Sequence, residues 1–158
     1  MGNIIVKVIA NKGKKTYHNQ DAVEKVINYV LREDARKQMN VWGCIGTISK
    51  DSSEIIKCFK KVKKIHHKTD GVQIKHIIVS FREEPQIPRK KLIKNIMKTA
   101  GIFGDKFQTV YALHENTANW HIHFAVNSVG YDGEKINLTK KETKKIKKKI
   151  EKIWKEME

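Results

Sequence analysis

The segment FQTVYALHENTANWHIHFAVNS, residues 107–128, gives the clearest indication of the fold. Its two halves, 107–114 and 120–128, are rich in β-branched and aromatic residues, and a polar stretch separates them. Because side chains alternate between the two faces of a strand, the second half has a core face and a polar face. The core face would carry Trp120, Ile122, Phe124 and Val126. The polar face would carry His121, His123, Ala125 and Asn127. The stretch therefore predicts an antiparallel hairpin with one buried face.

Three histidines meet on the polar face of this hairpin if its strands pair with His114 opposite His121. Ala112 then lies opposite His123, and directly paired residues share a face of an antiparallel sheet. Neutral imidazoles suit zinc, manganese, iron or nickel, and three ligands leave positions open for a phosphate oxygen. A bare His-x-His pair is more often two ordinary strand residues. The addition of His114 and Asn127 to the same face favours a site for a divalent metal ion.

The other strands and helices follow from the periodicity of apolar residues. Apolar runs predict strands at residues 4–9, 44–49 and 74–81, the last of them stopped by Pro85 and Pro88. Helical spacing, caps and stops predict four helices. Their predicted bounds are Asp21 to about Arg36, Asp51 onward, Pro88 to Gly101, and Thr139 onward.

Helical spacing also predicts which side chains face the core. Tyr29 falls about 60° from Val26, on the rim of the apolar face of the first helix, where a tyrosine can pack its ring and still expose its hydroxyl. Tyr111 shares a strand face with apolar residues, so we expect it to be buried. The residues of the second helix expected to face inward are Ile55, Phe59, Val62 and Ile65. Those of the third helix are Leu92, Ile93, Ile96, Met97 and Ala100.

Together these elements predict an α/β (α+β) fold built on a central, mainly antiparallel sheet with helices packed against one or both faces. Helices between strands suit parallel and antiparallel sheets alike, and the hairpin at 107–128 favours the antiparallel one. The length of 158 residues is enough for one hydrophobic core. We therefore expect a single domain that covers residues 1–158.

The charge of the chain indicates a polyanionic partner. Lys and Arg total 33 against 17 acidic residues, which gives a formal net charge of +16. An anionic membrane is the weaker reading, because the apolar run at 4–10 is short, contains Lys7 and has no signal-peptide cleavage pattern. Cys44 and Cys58 form no CxxC pair, so we interpret them as reduced thiols. We expect a cytoplasmic protein without membrane insertion.

Two basic runs exceed what solubility requires and indicate phosphate binding. One is the acid-free run from Lys57 to Lys68, and the other begins at Arg89 and ends at Lys98. We predict that the phosphate contacts come from Arg32, Lys57, Lys61, Lys64, Arg89 and Lys90.

Three motifs resemble those of plasmid mobilization relaxases, which belong to the HUH (His-hydrophobic-His) endonuclease superfamily. HENTANWHIHFAVN, residues 114–127, resembles their three-histidine motif, and HIIVSF, residues 76–81, resembles one of their central strands. NYVLR, residues 28–32, resembles the first-helix segment in which the family keeps its catalytic tyrosine. The three motifs occur in the family's order and cover most of the chain.

The resemblance implies nicking and rejoining of single-stranded DNA at a transfer origin, with room for accessory mobilization proteins as further partners. By this analogy the catalytic residues are Tyr29, which would form a 5′-phosphotyrosine and release a 3′-hydroxyl, and Asn127, which would orient a ligand or the phosphate. His114, His121 and His123 would bind the divalent ion, Mg²⁺ or Mn²⁺ first, with Zn²⁺, Ni²⁺ or iron as alternatives. A phenol with a pKa near 10 needs such a cation or a base to react at neutral pH.

The sequence departs from the family pattern at two positions and leaves other functions open. Asn116 stands where the family has an acid, and Trp120 replaces a proline. A missing carboxylate could weaken the orientation of a ligand histidine. The alternatives are a replication initiator or transposase of the same superfamily, and a nucleic-acid-binding module without catalysis. Tyr17, in a basic loop, is the rival nucleophile to Tyr29.

Overall fold

A computed structural model describes residues 4–9, 15–32, 41–48, 51–115 and 119–155. These parts of the chain contain five strands, four α-helices and a short 3-10 helix at Lys15–His18. The strands and α-helices, in chain order, are β1 (Ile4–Ile9), α1 (Ala22–Val30), β2 (Trp42–Ile45), α2 (Ser52–Ile65), β3 (Ile74–Phe81), α3 (Arg89–Gly104), β4 (Thr109–His114), β5 (His121–Asn127) and α4 (Lys140–Lys155).

The five strands form one sheet in the order β1-β3-β5-β4-β2, and each neighbouring pair is antiparallel. The hairpin of β4 and β5 pairs His114 with His121 and Ala112 with His123, which confirms the register expected from the sequence. β3 lies on the other side of β5, with Ile78 opposite His123. The antiparallel α/β prediction is therefore confirmed.

Helices cover both faces of the sheet. On the face that carries Ile122, Phe124 and Val126, α3 and α4 complete a core of large apolar side chains. Trp154 of α4 packs edge-on against Phe81, with ring centroids 4.9 Å apart. The other face carries Ala112 and Ala125, whose small side chains let α1 and α2 approach closely. We call this second face the histidine face, because His114, His121 and His123 belong to it by register.

Two helices begin with the capping residues that the sequence indicates. Asp51 caps α2 by accepting a hydrogen bond from the Ser53 backbone N–H at 3.0 Å. Thr139 Oγ accepts one from the Glu142 N–H at 3.1 Å, as its capping box predicts. No helix in the described parts of the chain is both long and apolar enough to cross a membrane.

Three boundaries differ from the predictions. β2 covers 42–45 and not 44–49, and α1 ends at Val30, while residues 33–40 of its predicted extension lie outside the described residues. α3 continues past Gly101 to Gly104 because Phe103, which is 4% exposed, still packs on the sheet. Gly104 lets this last turn approach β2, since a Cβ there would lie 2.6 Å from the Ile45 side chain.

Two predicted core residues are exposed. Ile65 is 60% exposed and Met97 53% exposed. In α2 the buried side chains are Ile55, Ile56, Phe59 and Lys63. At 100° per residue around the helix axis, the centre of this buried face lies about 135° from Ile65. Met97 likewise lies about 120° from the centre of the buried face of α3.

Candidate functional site

The sheet brings four histidines together on the histidine face. His114 ends β4 and His121 begins β5, and His123 lies two residue pairs further into the sheet, on the same face. The ring centroids of His114 and His123 are 4.0 Å apart, and those of His121 and His123 are 6.2 Å apart. The predicted triad is thus one cluster, which we call the histidine cluster together with His76.

His76 is the member that the sequence did not single out as a site residue. It lies on β3, and its ring centroid is 5.1 Å from that of His123. His76 Nε2 lies 2.8 Å from His123 Nδ1, so one of these two nitrogens donates a hydrogen bond to the other. Strand alternation puts His76 on the face opposite Ile77 and Val79. Only the pairing of β3 with β5 places that face beside His123.

Burial keeps part of the cluster uncharged. His114, His123 and His76 are at most 5% exposed, whereas His121 is partly exposed. Burial, with His114 nearby, lowers the pKa of His76 to about 4. Burial and the neighbouring histidines lower the pKa of His123 far below its ordinary value. Both rings are therefore neutral at physiological pH, which is the form that binds metal ions.

Tyr29 lies over the histidine cluster. Its ring makes edge contacts with the rings of His76, His114 and His123, at centroid distances of 6.0, 6.0 and 5.5 Å. The residue is 47% exposed, so an incoming molecule can reach it, as its position on the rim of α1 predicts. The guanidinium carbon of Arg32 lies 4.7 Å from the centroid of the same ring.

A hydrogen bond links the end of α1 to the histidine cluster. His114 Nε2 donates a hydrogen bond of 2.9 Å to the backbone carbonyl of Val30, the residue after Tyr29. Val30 itself is fully buried. A carbonyl that accepts from a histidine N–H is the usual contact that orients a metal-binding imidazole. The same bond therefore fixes both the His114 ring and the backbone beside Tyr29.

The donor set suits a divalent ion in its chemistry. It consists of imidazoles, and the rings of His76 and His123 are neutral. Imidazole rings that bind one ion have centroids about 5 Å apart. The observed 4.0 and 6.2 Å bracket that value. In the described part of the chain, however, no three His, Cys, Asp or Glu side chains converge on a point that could hold a metal. Side-chain rotations would have to bring the nitrogens of His114, His121 and His123 together.

Asn127 does not join the cluster. It lies four residues beyond His123 on β5, about 13 Å along the strand, and is fully buried. Its amide nitrogen donates to the Phe59 carbonyl at 3.1 Å and to Gln108 Oε1 at 2.8 Å. Its oxygen accepts a hydrogen bond from Lys63 Nζ. These contacts join β5 to α2 and occupy the polar atoms of the amide inside the protein.

The predicted phosphate-binding residues are divided between the two sides of the sheet. Lys57, Lys61 and Lys64 are exposed on α2, on the side of the histidine cluster. Arg32 lies at the cluster itself. Arg89 and Lys90 begin α3 on the opposite side, and Arg89 makes a 3.0 Å ion pair with Glu115, which follows β4.

The other tyrosines are placed away from the cluster. Tyr17 is partly buried against the α1–α2 core, and among the described residues no ring contact joins it to a histidine of the cluster. Tyr111 is 9% exposed, as predicted. Tyr131 donates a hydrogen bond to the Gly104 carbonyl at 2.9 Å.

Comparisons with known proteins bear on the fold and on the family of the chain. The fold is similar to that of a solved chain from a study of the molecular basis of vancomycin resistance transfer in Staphylococcus aureus, with a TM-score of 0.56 and 13% sequence identity. That similarity covers 96% of this chain and 89% of the other. Among curated proteins no relative matches. The family model "Relaxase: MobA/VirD2-like, nuclease domain" matches residues 29–158, so the chain belongs to the MobA/VirD2-like relaxase nuclease family.

Proposed function

We propose that this relaxase-family chain nicks and rejoins single-stranded DNA at a transfer origin, with Tyr29 as the nucleophile and a divalent ion as cofactor. The observation that carries the proposal is the position of Tyr29, half exposed and in edge contact with three histidine rings. A tyrosine at the rim of a helix needs no such neighbours for packing. Its contacts therefore favour a role in the chemistry of the cluster.

The proposed reaction is an exchange of one phosphodiester for another. The Tyr29 hydroxyl oxygen bonds to the phosphorus while the bond from phosphorus to the 3′-oxygen breaks. The phenol loses one proton and the departing 3′-oxygen gains one, so charge and atoms balance without a further reactant. The phosphotyrosine conserves the energy of the broken ester, and attack by a 3′-hydroxyl restores the strand.

His114, His121 and His123 would hold the divalent ion. When bound, that ion would neutralise charge on the phosphate and favour the phenolate. Val30 orients His114 through its carbonyl, and His76 contacts Nδ1 of His123. If Nδ1 of His123 donates to His76, the lone pair of His123 lies on Nε2, ready to bind the ion. His76 is thus a positioning residue in this proposal.

Arg32 adds positive charge next to the nucleophile. Its guanidinium lies against the Tyr29 ring, where it would favour a phenolate and attract a phosphate. Lys57, Lys61 and Lys64 are exposed on α2, which packs on the same side of the sheet. We propose that they hold the backbone of the single strand.

The test is the formation of a covalent adduct. The protein is incubated with Mn²⁺ and labelled single-stranded oligonucleotides from the DNA that flanks its own gene, and the products are separated in denaturing detergent. We expect a detergent-resistant protein–DNA species from the wild type. Tyr29→Phe should form none, while the matched control Tyr17→Phe should form as much as the wild type.

Two results would contradict the proposal. An adduct formed by Tyr29→Phe would show another nucleophile, with Tyr17 the first to test. Tight strand binding by the wild type without any adduct, on oligonucleotides that tile the whole flanking DNA, would favour a binding module that lacks catalysis. Circular dichroism of each variant separates loss of the hydroxyl from loss of the fold.

A further inference from the structure

A second positive surface lies on the side of the sheet away from Tyr29. α3 contains five basic residues and no acidic ones, and α4 contains nine lysines and two glutamates. Both helices pack on the sheet face opposite the histidine face. Their outward side chains are exposed and include the lysines that we call the back lysine surface: Lys94, Lys98, Lys141, Lys145, Lys148 and Lys152.

The lysines of α4 form a row. Lys141, Lys145, Lys148 and Lys152 are spaced four, three and four residues apart, which aligns them along one stripe of a helix. The stripe points away from the sheet, because Ile150 and Trp154 on the other side of α4 are at most 1% exposed. The two glutamates of α4, Glu142 and Glu151, lie about 80 to 100° from the centre of the stripe.

Little of this charge is neutralised within α4. Glu142 approaches Lys145 at 3.8 Å, but both side chains are at least half exposed. An exposed ion pair of this kind contributes little free energy. Lys145 can therefore exchange Glu142 for a phosphate at little cost. Six lysines on one side of a small protein repel one another, and a polyanion removes that repulsion.

We infer that the back lysine surface binds the phosphate backbone of duplex DNA. The row from Lys141 to Lys152 is about 16 Å long at 1.5 Å per residue. A duplex of that length carries about ten phosphates, at one per 1.7 Å of its axis. These phosphates lie on two strands that wind around the axis, so the straight row of lysines faces the ones on its own side of the rigid duplex over the same length. This inference goes beyond the proposed nicking function and does not depend on it.

The surface fits a duplex better than a single strand or a membrane. Binding of single strands uses aromatic side chains on which bases stack, but Trp154, the aromatic residue of α4, is buried in the core. Insertion into a bilayer needs an exposed apolar stripe, and Ile146, Ile150 and Ile153 of α4 pack against the core instead. Backbone contact with a duplex needs neither feature.

The experiment measures fluorescence anisotropy of a labelled 20-base-pair duplex of arbitrary sequence, with a chelator present so that no divalent ion contributes. The variant replaces Lys141, Lys145, Lys148 and Lys152 with glutamine, a residue of similar helix propensity. We expect its duplex affinity at 50 mM NaCl to fall at least tenfold. The slope of log affinity against log salt should fall by about 0.9 for each phosphate contact that is lost.

The matched control also replaces four lysines with glutamine, but they are exposed on other parts of the surface: Lys25, Lys68, Lys106 and Lys135. It should keep most of the duplex affinity, which separates a local surface from the effect of net charge. Wild-type affinity in the α4 variant, or equal losses in both variants, would overturn the inference. So would binding of the wild type to phosphatidylserine vesicles but not to the duplex.

Failure of this inference is separable from failure of the proposed nicking function. Tyr29→Phe should bind the duplex as the wild type does, because the two sites lie on opposite sides of the sheet. The α4 variant should still form the detergent-resistant adduct on a short single strand. Far-ultraviolet circular dichroism checks that α4 remains helical in the variant.

Discussion

His76 and His123 contact each other through ring nitrogens 2.8 Å apart, and both side chains are buried. If this contact orients His123, replacing His76 with leucine should weaken Mn²⁺ binding about 10- to 100-fold. Glutamine offers an oxygen that can accept from Nδ1, so His76→Gln should recover part of the affinity. Isothermal titration calorimetry measures both variants without DNA.

His66, which contacts the Tyr131 carbonyl far from the cluster, supplies the control for this prediction. His66→Gln should bind Mn²⁺ as the wild type does. Equal affinity in His76→Leu and the wild type would exclude a positioning role for His76. Equal weakening in the leucine and glutamine variants would point to packing instead of the hydrogen bond.

Asn127 is predicted to stabilise the fold through its buried amide contacts. Asn127→Ala would leave the Phe59 carbonyl, Gln108 and one donor of Lys63 without their present partner. We expect a loss of about 2–4 kcal/mol in the free energy of unfolding, measured with urea. A variant with unchanged stability and no Mn²⁺ binding would instead support the role in orienting a ligand or phosphate that the family resemblance implies.

At the scale of a helix, α2 presents a basic surface and also buries one lysine. Lys63 is 2% exposed, and its three N–H donors contact Asn127, the Gln73 carbonyl at 2.6 Å and Ser128 Oγ at 2.9 Å. Burial, followed by the positive charge of Lys135, lowers the pKa of Lys63 to about 7. The buried face of α2 is therefore set by the sheet that it meets and not by its apolar residues alone.

The lowered pKa of Lys63 predicts a pH dependence of stability. Between pH 7 and about 10.5 the unfolded chain binds this proton more tightly than the folded protein, so stability from Lys63 rises with pH, by at most about 1.4 kcal/mol per unit. Below pH 7 Lys63 is protonated in both the folded and the unfolded protein. Its contribution to stability then no longer changes with pH and has its lowest value. Urea unfolding at pH 6, 7.5 and 9 should show the wild type gaining stability relative to Lys63→Met.

The exposed neighbour Lys61 provides the comparison for this pH series. The difference between the wild type and Lys61→Met measures, at each pH, what the loss of an exposed lysine side chain of the same helix costs in stability. A difference between the wild type and Lys63→Met that stayed constant from pH 6 to 9 would contradict the lowered pKa. Each comparison uses the difference in unfolding free energy between the wild type and a variant at the same pH. The titration of all other groups cancels in this difference because both proteins contain them.

For the whole molecule, the net charge of +16 makes single-strand binding depend on salt. If Lys57, Lys61 and Lys64 each contact a phosphate, their replacement with glutamine should lower the slope of log affinity against log salt by about 2, at about 0.7 per contact. Anisotropy with a labelled 20-nucleotide single strand measures this. The α4 variant should keep the wild-type slope, and the reverse pattern would place the single strand on the other side of the sheet.

Features that depend on near neighbours along the chain could be predicted from the sequence alone. Strand alternation and one hairpin register placed His114, His121 and His123 on one face, because a two-residue period and a connection of six residues leave little freedom. The caps at Asp51 and Thr139 are equally local. The three family motifs indicated the relaxase family, which the match over residues 29–158 shows.

Contacts between distant segments depend on tertiary packing and could not be predicted from local sequence. His76 reaches the cluster because β3 lies beside β5, and Tyr29 reaches it because α1 packs across both strands. The burial of Lys63 and the division of the basic residues between two sides of the sheet have the same origin. Local periodicity fixes which way a side chain points from its own element, but the pairing of strands and the docking of helices decide what it meets.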